Sequence, residues 1–163
     1  MNWYDLMLFL PVAALIVFEA RQEAGRGLLD ATVTLAAVQL TACYAGWLGT
    51  TLGWPPVKGE PAPGATAVCF MAFWGPGLAF SRMLHRRTRW SMDQFDALFG
   101  VVFGLFVAVA FGHVLADFTA TWATSHQGET PEYVVNSWLG HELRSFRSVQ
   151  TMIDTIQKFQ YRS

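Results

Sequence analysis

Charge is scarce. Lys, Arg, Asp and Glu make up 14% of the 163 residues, where a soluble domain carries about a quarter. Between Asp96 and Asp117 lie 20 residues without any of them. A surface so poor in charge excludes an ordinary water-soluble domain and points to the membrane. The net charge of -1 and the lack of a Lys/Arg-rich run exclude nucleic acid as a partner. Cysteine is scarce too. Cys43 and Cys69 each sit in an apolar stretch, so neither a disulfide framework nor a zinc spacing exists. Both are read as small buried apolar residues. Ser81, Ser91, Ser125 and Ser137 lack a nucleophile-elbow context, and no Gly-rich phosphate loop follows a strand. The sequence therefore predicts no enzyme and no cofactor. A proton path needs ionisable groups at mid-membrane, and near the centre of the second apolar stretch only Gln39 is polar, which argues against a pump.

Apolar residues, by contrast, make up 53% of the chain and aromatics 15%, for a mean hydropathy of +0.30. Four uncharged stretches predict an all-α membrane protein with four transmembrane helices, at about 3–20, 31–54, 63–83 and 97–118. They form a transmembrane domain over 1–122. The first stretch is the shortest and needs Trp3, Tyr4 and Ala20 to reach across hydrocarbon. It reads as a retained span rather than a cleavable signal, because Arg21 and Arg26 follow the apolar run instead of preceding it. Arg21, Arg26, Arg82, Arg86, Arg87 and Arg89 fall in the first and third loops, whereas WPPVKGEPAPG between spans two and three holds only Lys58. Positive residues gather on the cytoplasmic side. Both termini and the Pro-rich loop are thus expected outside, on the periplasmic face of a bacterial inner membrane. Trp54 and Trp122 belong at the outer interface and Trp90 at the inner one.

The fourth stretch carries small residues at every fourth position: Gly100, Gly104, Ala108, Gly112 and Ala116. Lipid tails are as apolar as leucine, so apolar burial does not drive helices together in a bilayer, whereas close van der Waals packing does. This row predicts a groove that admits a second helix backbone, from this chain or another. Ala45, Gly49 and Gly53 form a weaker copy in the second span.

WGPG, Trp74 to Gly77, places Pro76 near the middle of span three, where the ring removes a backbone donor and opposes the carbonyl of Ala72. A packed kink is the expectation. A broken helix lining a transport path is the alternative. His113 and Asp117 stand one turn apart. They suit a hydrogen-bonded pair, and with no third ligand in view no metal site is predicted. Asp30 is expected to open span two, where an acid suits a helix N-terminus.

Past Trp122 the chain turns polar, and 123–163 is expected to form an amphipathic tail helix outside the membrane. Thr130, Pro131 and Glu132 read as its N-cap and first turn. Leu139, Leu143, Phe146, Val149, Ile153 and Ile156 then recur at steps of three and four, making one apolar face. Gly140 is a place where it could bend or split. A helix of this kind must rest on something, so the face is a candidate for partner docking.

Two segments carry a resemblance. NWYDLMLFLPVAALIVFEARQEAGRGLLD resembles the opening of the colicin V production (CvpA) family, in which a short apolar span led by an aspartate, here Asp5, precedes a basic Gly-containing turn, here Gly25 to Leu28, and a second span. WSMDQFDALFGVVFGLFVAVAF resembles the family's last span, with Asp96, Gly100 and Gly104 in place. The resemblance covers most of 1–120. It implies an inner-membrane protein linked to toxin export, biofilm and envelope maintenance, with no established catalytic activity. The leading expectation is a non-catalytic scaffold or accessory subunit, surrounded by lipid and docked onto other integral membrane subunits. A small transporter or export factor is the alternative.

Overall fold

Hydrocarbon offers no hydrogen bonds, so an apolar segment must pair its backbone internally, and the helix does this within one segment. In the computed structural model, which describes residues 2–88 and 95–145, the apolar stretches are helical. The elements are α1 (Trp3–Glu19), α2 (Ala24–Thr51), α3 (Pro63–Thr88), α4 (Asp96–Gln127), α5 (Glu132–Val135) and α6 (Trp138–Ser145). Among the described residues there is no strand, only an isolated bridge between Val57 and Glu60 in the loop before α3. Helices α2, α3 and α4 are each long and apolar enough to cross a membrane.

Helix α4 is the centre of the arrangement. It packs on α1 and α2, and more lightly on α3, while α2 and α3 pair closely and α6 lies across α1 and α4. One core joins Tyr4, Leu8 and Val12 to Ala108, Ala116, Ala120, Val134 and Leu143. A second gathers Ala37, Phe70 and Val114, with Trp74 and Phe111 packed against it. Large apolar side chains also cover the outside, among them Leu10, Phe18, Met71, Phe80, Leu98 and Leu105. Such a surface belongs in lipid rather than water.

The helix ends lie further out than the uncharged runs indicate. Helix α2 starts at Ala24, not near 31, because its first two turns hold their charges in place. Arg26 Nε lies 3.5 Å from Asp30 Oδ2, and Asp30 Oδ1 accepts the Ser81 hydroxyl of α3. Asp30 is therefore a buried group within α2 rather than its opening residue. Asp96, at the start of α4, takes that role by accepting the Ala24 N–H at 3.0 Å. Helix α3 continues to Thr88, with His85, Arg86 and Arg87 in its last turn, where positive groups suit the dipole. Helix α4 runs past 118 to Gln127. It stops at Gly128, whose φ of 75° is left-handed and whose N–H reaches Thr124 O at 2.9 Å.

Pro76 lies inside α3, which continues through it. Gly77 lets α2 come close, since a Cβ there would collide with Val33 Cγ1. Beyond Gly128 the chain does not form the single helix expected from Thr130. Pro131 precedes the four-residue α5, and the break falls at Asn136–Ser137 rather than at Gly140. Ser137 Oγ accepts the Gly140 N–H at 2.8 Å and thereby caps α6.

Candidate functional site: the α4 groove, the outer end and the free face of α2

The five small residues of α4 are all buried, and their partner is α1 of the same chain. A Cβ on Gly100 would stand 3.2 Å from the carbonyl oxygens of Glu19 and Gln22, and one on Gly104 would stand 2.8 Å from Glu19 Cβ. Further along, a Cβ on Gly112 would meet Val12 Cγ2 at 2.9 Å and Leu143 Cδ2 at 3.1 Å. Ala108 and Ala116 complete the row beneath Tyr4 and Leu8, and the Tyr4 hydroxyl reaches Ala116 O at 3.3 Å and Thr119 Oγ1 at 2.6 Å. On α2, Ala45 is buried and Gly49 faces Ala65 of α3. Gly53 lies past the end of α2 with φ 71°, and a Cβ there would meet nothing within 4 Å. It terminates the helix and packs against no neighbour.

Leu143 and Leu139 of the expected docking face also turn inward. Leu143 is buried between α1 and α4, and Leu139 packs against the same core. Phe146, Val149, Ile153 and Ile156 lie outside the described residues, as do Arg89 and Trp90. Cys69 is buried, but Cys43 is exposed on α2, contrary to the expectation that both are interior.

His113 and Asp117 belong to a larger assembly at the end of α4. The Nδ1 of His113 lies 2.8 Å from Leu143 O, and its Nε2 lies 3.9 Å from Asp117 Oδ2. Arg144 of α6 reaches Asp117 Oδ1 at 3.0 Å and Glu60 Oε1 at 3.3 Å, while Thr121 donates to Glu60 Oε2 at 2.9 Å. Helix α6 and the loop before α3 are thus fastened to α4 by charge. Cavities of about 260 and 570 Å³ lie on either side of this assembly, and both are walled by His113 and Asp117. Among the described residues no three His, Cys, Asp or Glu side chains are grouped so as to hold a metal.

Helix α2 also carries an outward seam built from neither charges nor a glycine repeat. Thr32, Ala36, Gln39, Cys43, Gly46 and Thr50 of α2 follow one another at steps of four and three, and all are exposed. A Cβ on Gly46 would touch nothing within 4 Å. The other outward faces carry Leu, Val, Phe and Met, but this seam carries only small or polar residues. Gln39, close to the middle of α2, makes no hydrogen bond with any described residue.

The helices and their apolar coat define the class: a helical membrane protein in which three helices are long and apolar enough to span. No family model, curated protein or solved structure matches the chain.

Proposed function

We propose that this protein is a non-catalytic subunit of a larger membrane assembly and that the outward seam of α2 receives a transmembrane helix of a partner protein. The observation carrying this reading is Gln39. A primary amide with two donors and an acceptor, held in hydrocarbon without a partner, is costly, and a neighbouring helix that pairs with it relieves the cost. The seam's alternating steps of four and three fit the shallow left-handed crossing usual in membrane bundles. Its small side chains allow close approach.

In this reading α1 is a fourth span. Its 17 residues reach ~26 Å, just short of the ~30 Å hydrocarbon core, and Trp3 and Glu19 sit at its ends. The Arg-bearing ends of α1, α2 and α3 face the cytoplasm. Helices α5 and α6, both termini and the Pro-rich loop lie on the periplasmic side of a bacterial inner membrane. The reading includes the resemblance of the segments around Asp5 and around Asp96, Gly100 and Gly104 to the colicin V production family.

Co-purification in mild detergent, followed by a native gel, tests the proposal. Gln39→Leu combined with Gly46→Ile is expected to reduce the apparent mass to that of the free chain. An unchanged mass overturns it. A small export factor is the second reading, favoured by the two cavities beside His113 and Asp117. Solute or proton flux in reconstituted vesicles, abolished by Asp117→Asn, would establish that reading instead.

A further inference from the structure

The end of the molecule formed by the last turns of α1 and α3 and the first turns of α2 and α4 holds four acidic side chains among the described residues, and all are engaged or covered. Asp30 is taken by Ser81 and Arg26. Glu23 Oε2 lies 3.1 Å from His85 Nε2. Asp96 accepts the Ala24 N–H. Glu19 is buried at 4% exposure, beneath Gly104. The arginines here are in the opposite condition. Arg21, Arg82, Arg86 and Arg87 are exposed, and none makes an ion pair or hydrogen bond with a described residue.

These four cations are close together in the fold. The Glu23–His85 pair ties the α1–α2 turn to the end of α3. Arg21 stands two positions before Glu23, Arg86 follows His85 directly, and Arg82 stands one turn before Arg86 on α3. Phe18 stands three positions before Arg21, and Phe80 and Met83 flank Arg82 on α3; all three are exposed. The opposite end differs: its Arg144 is already shared between Asp117 and Glu60. Lys58 is the other Lys or Arg described there and makes no ion pair, so the contrast is four unpaired cations against one.

We propose that Arg82 and Arg86, with Arg21 beside them, form a binding surface for the phosphate headgroup of an anionic phospholipid, whose acyl chains lie along Phe18, Phe80 and Met83. Guanidinium groups match phosphate oxygens in paired hydrogen bonds, and basic sites between helices at the cytoplasmic face suit anionic lipids. A lipid, rather than free phosphate, fits because the cations border an apolar wall. The proposal rests on the membrane reading and not on a partner at α2.

The test places the purified full-length chain in phosphatidylcholine nanodiscs containing phosphatidylglycerol and counts retained lipids by native mass spectrometry. Wild type is expected to keep phosphatidylglycerol over phosphatidylcholine. R82Q/R86Q should weaken retention by roughly fivefold for each arginine removed, at unchanged helix content, whereas R82K/R86K should keep part of it and Lys58→Gln all of it. Equal retention of both lipids by wild type, or full retention by R82Q/R86Q, overturns the proposal. Displacement of phosphatidylglycerol by inorganic phosphate at equal concentration also overturns it, in favour of a soluble anion. Selective retention in a chain whose mass ignores Gln39→Leu refutes the α2 proposal alone, and the converse result refutes this one alone.

Discussion

The carboxylate of Asp5 accepts the backbone N–H of Leu139 at 3.1 Å, across 134 positions of sequence. Its Oδ1 also takes the Ser137 hydroxyl at 2.5 Å, and Oδ2 takes the Asn2 N–H at 2.8 Å. One side chain at the start of α1 thus caps its own helix and fastens the first turn of α6. Asp5→Ala is expected to cost about 1.5–3 kcal/mol, the range for hydrogen bonds to a buried charged group. Limited proteolysis beyond Gly128 should accelerate, while cleavage within α2 and α3 should not. Equal rates for wild type and variant would remove Asp5 from this role.

Gly104 and Gly46 give a paired prediction. A side chain at Gly104 runs into Glu19 of α1, and one at Gly46 meets nothing in this chain. Gly104→Leu should lower the melting temperature of the isolated chain, at a cost of about 1–3 kcal/mol for overpacking. Gly46→Leu should leave it unchanged and act only on assembly. Thermal unfolding in detergent, followed by circular dichroism, separates the two.

Asp30 is buried with Ser81 as one partner and Arg26 as the other. Removing a member of a buried ion pair leaves an uncompensated charge and typically costs about 3–5 kcal/mol. Arg26 is partly exposed, at 19%, so Asp30→Ala should fall toward the lower end of that range. Ser81→Ala removes a single hydroxyl and should cost less, about 1 kcal/mol. A double-mutant cycle read by thermal unfolding checks the order.

Arg144→Ala separates α6 from both Asp117 and Glu60. All three side chains are a third to a half exposed, and pairs of this kind contribute roughly 0–1 kcal/mol. A small loss of stability is expected, confined to low salt. A large loss that persists at high salt would mean the arginine acts through packing.

Thiol labelling offers a check that needs no mutation. Cys43 is exposed on the α2 seam and Cys69 is buried between helices. An apolar maleimide should modify the first in the free chain and spare the second until unfolding. In the intact assembly Cys43 should be protected.

Much of this arrangement is legible in the order of the residues. The small-residue row of α4 announces close packing, and its buried glycines lie against α1. The row alone does not name its partner, because any helix backbone satisfies the same groove. Charge is a poor stop signal in these helices. Arg26 and Asp30 neutralise each other inside α2, and Thr119 and Thr124 return their hydroxyls to carbonyls one turn back, so polar residues continue both helices. The division of the tail at Ser137 depends on Asp5, a residue with no local relation to it. The α2 seam is visible in sequence only as scattered Thr, Ala, Gln, Cys and Gly. It becomes a surface once the fold shows which side of α2 is turned away from α3 and α4.

The long reach from Asp5 to Leu139 also sets a timetable for biogenesis. Helix α1 is synthesised well before its groove on α4, and the donors for its aspartate come later still. Until they are made, α1 has neither its groove nor its tie to α6, and its aspartate stays hydrated.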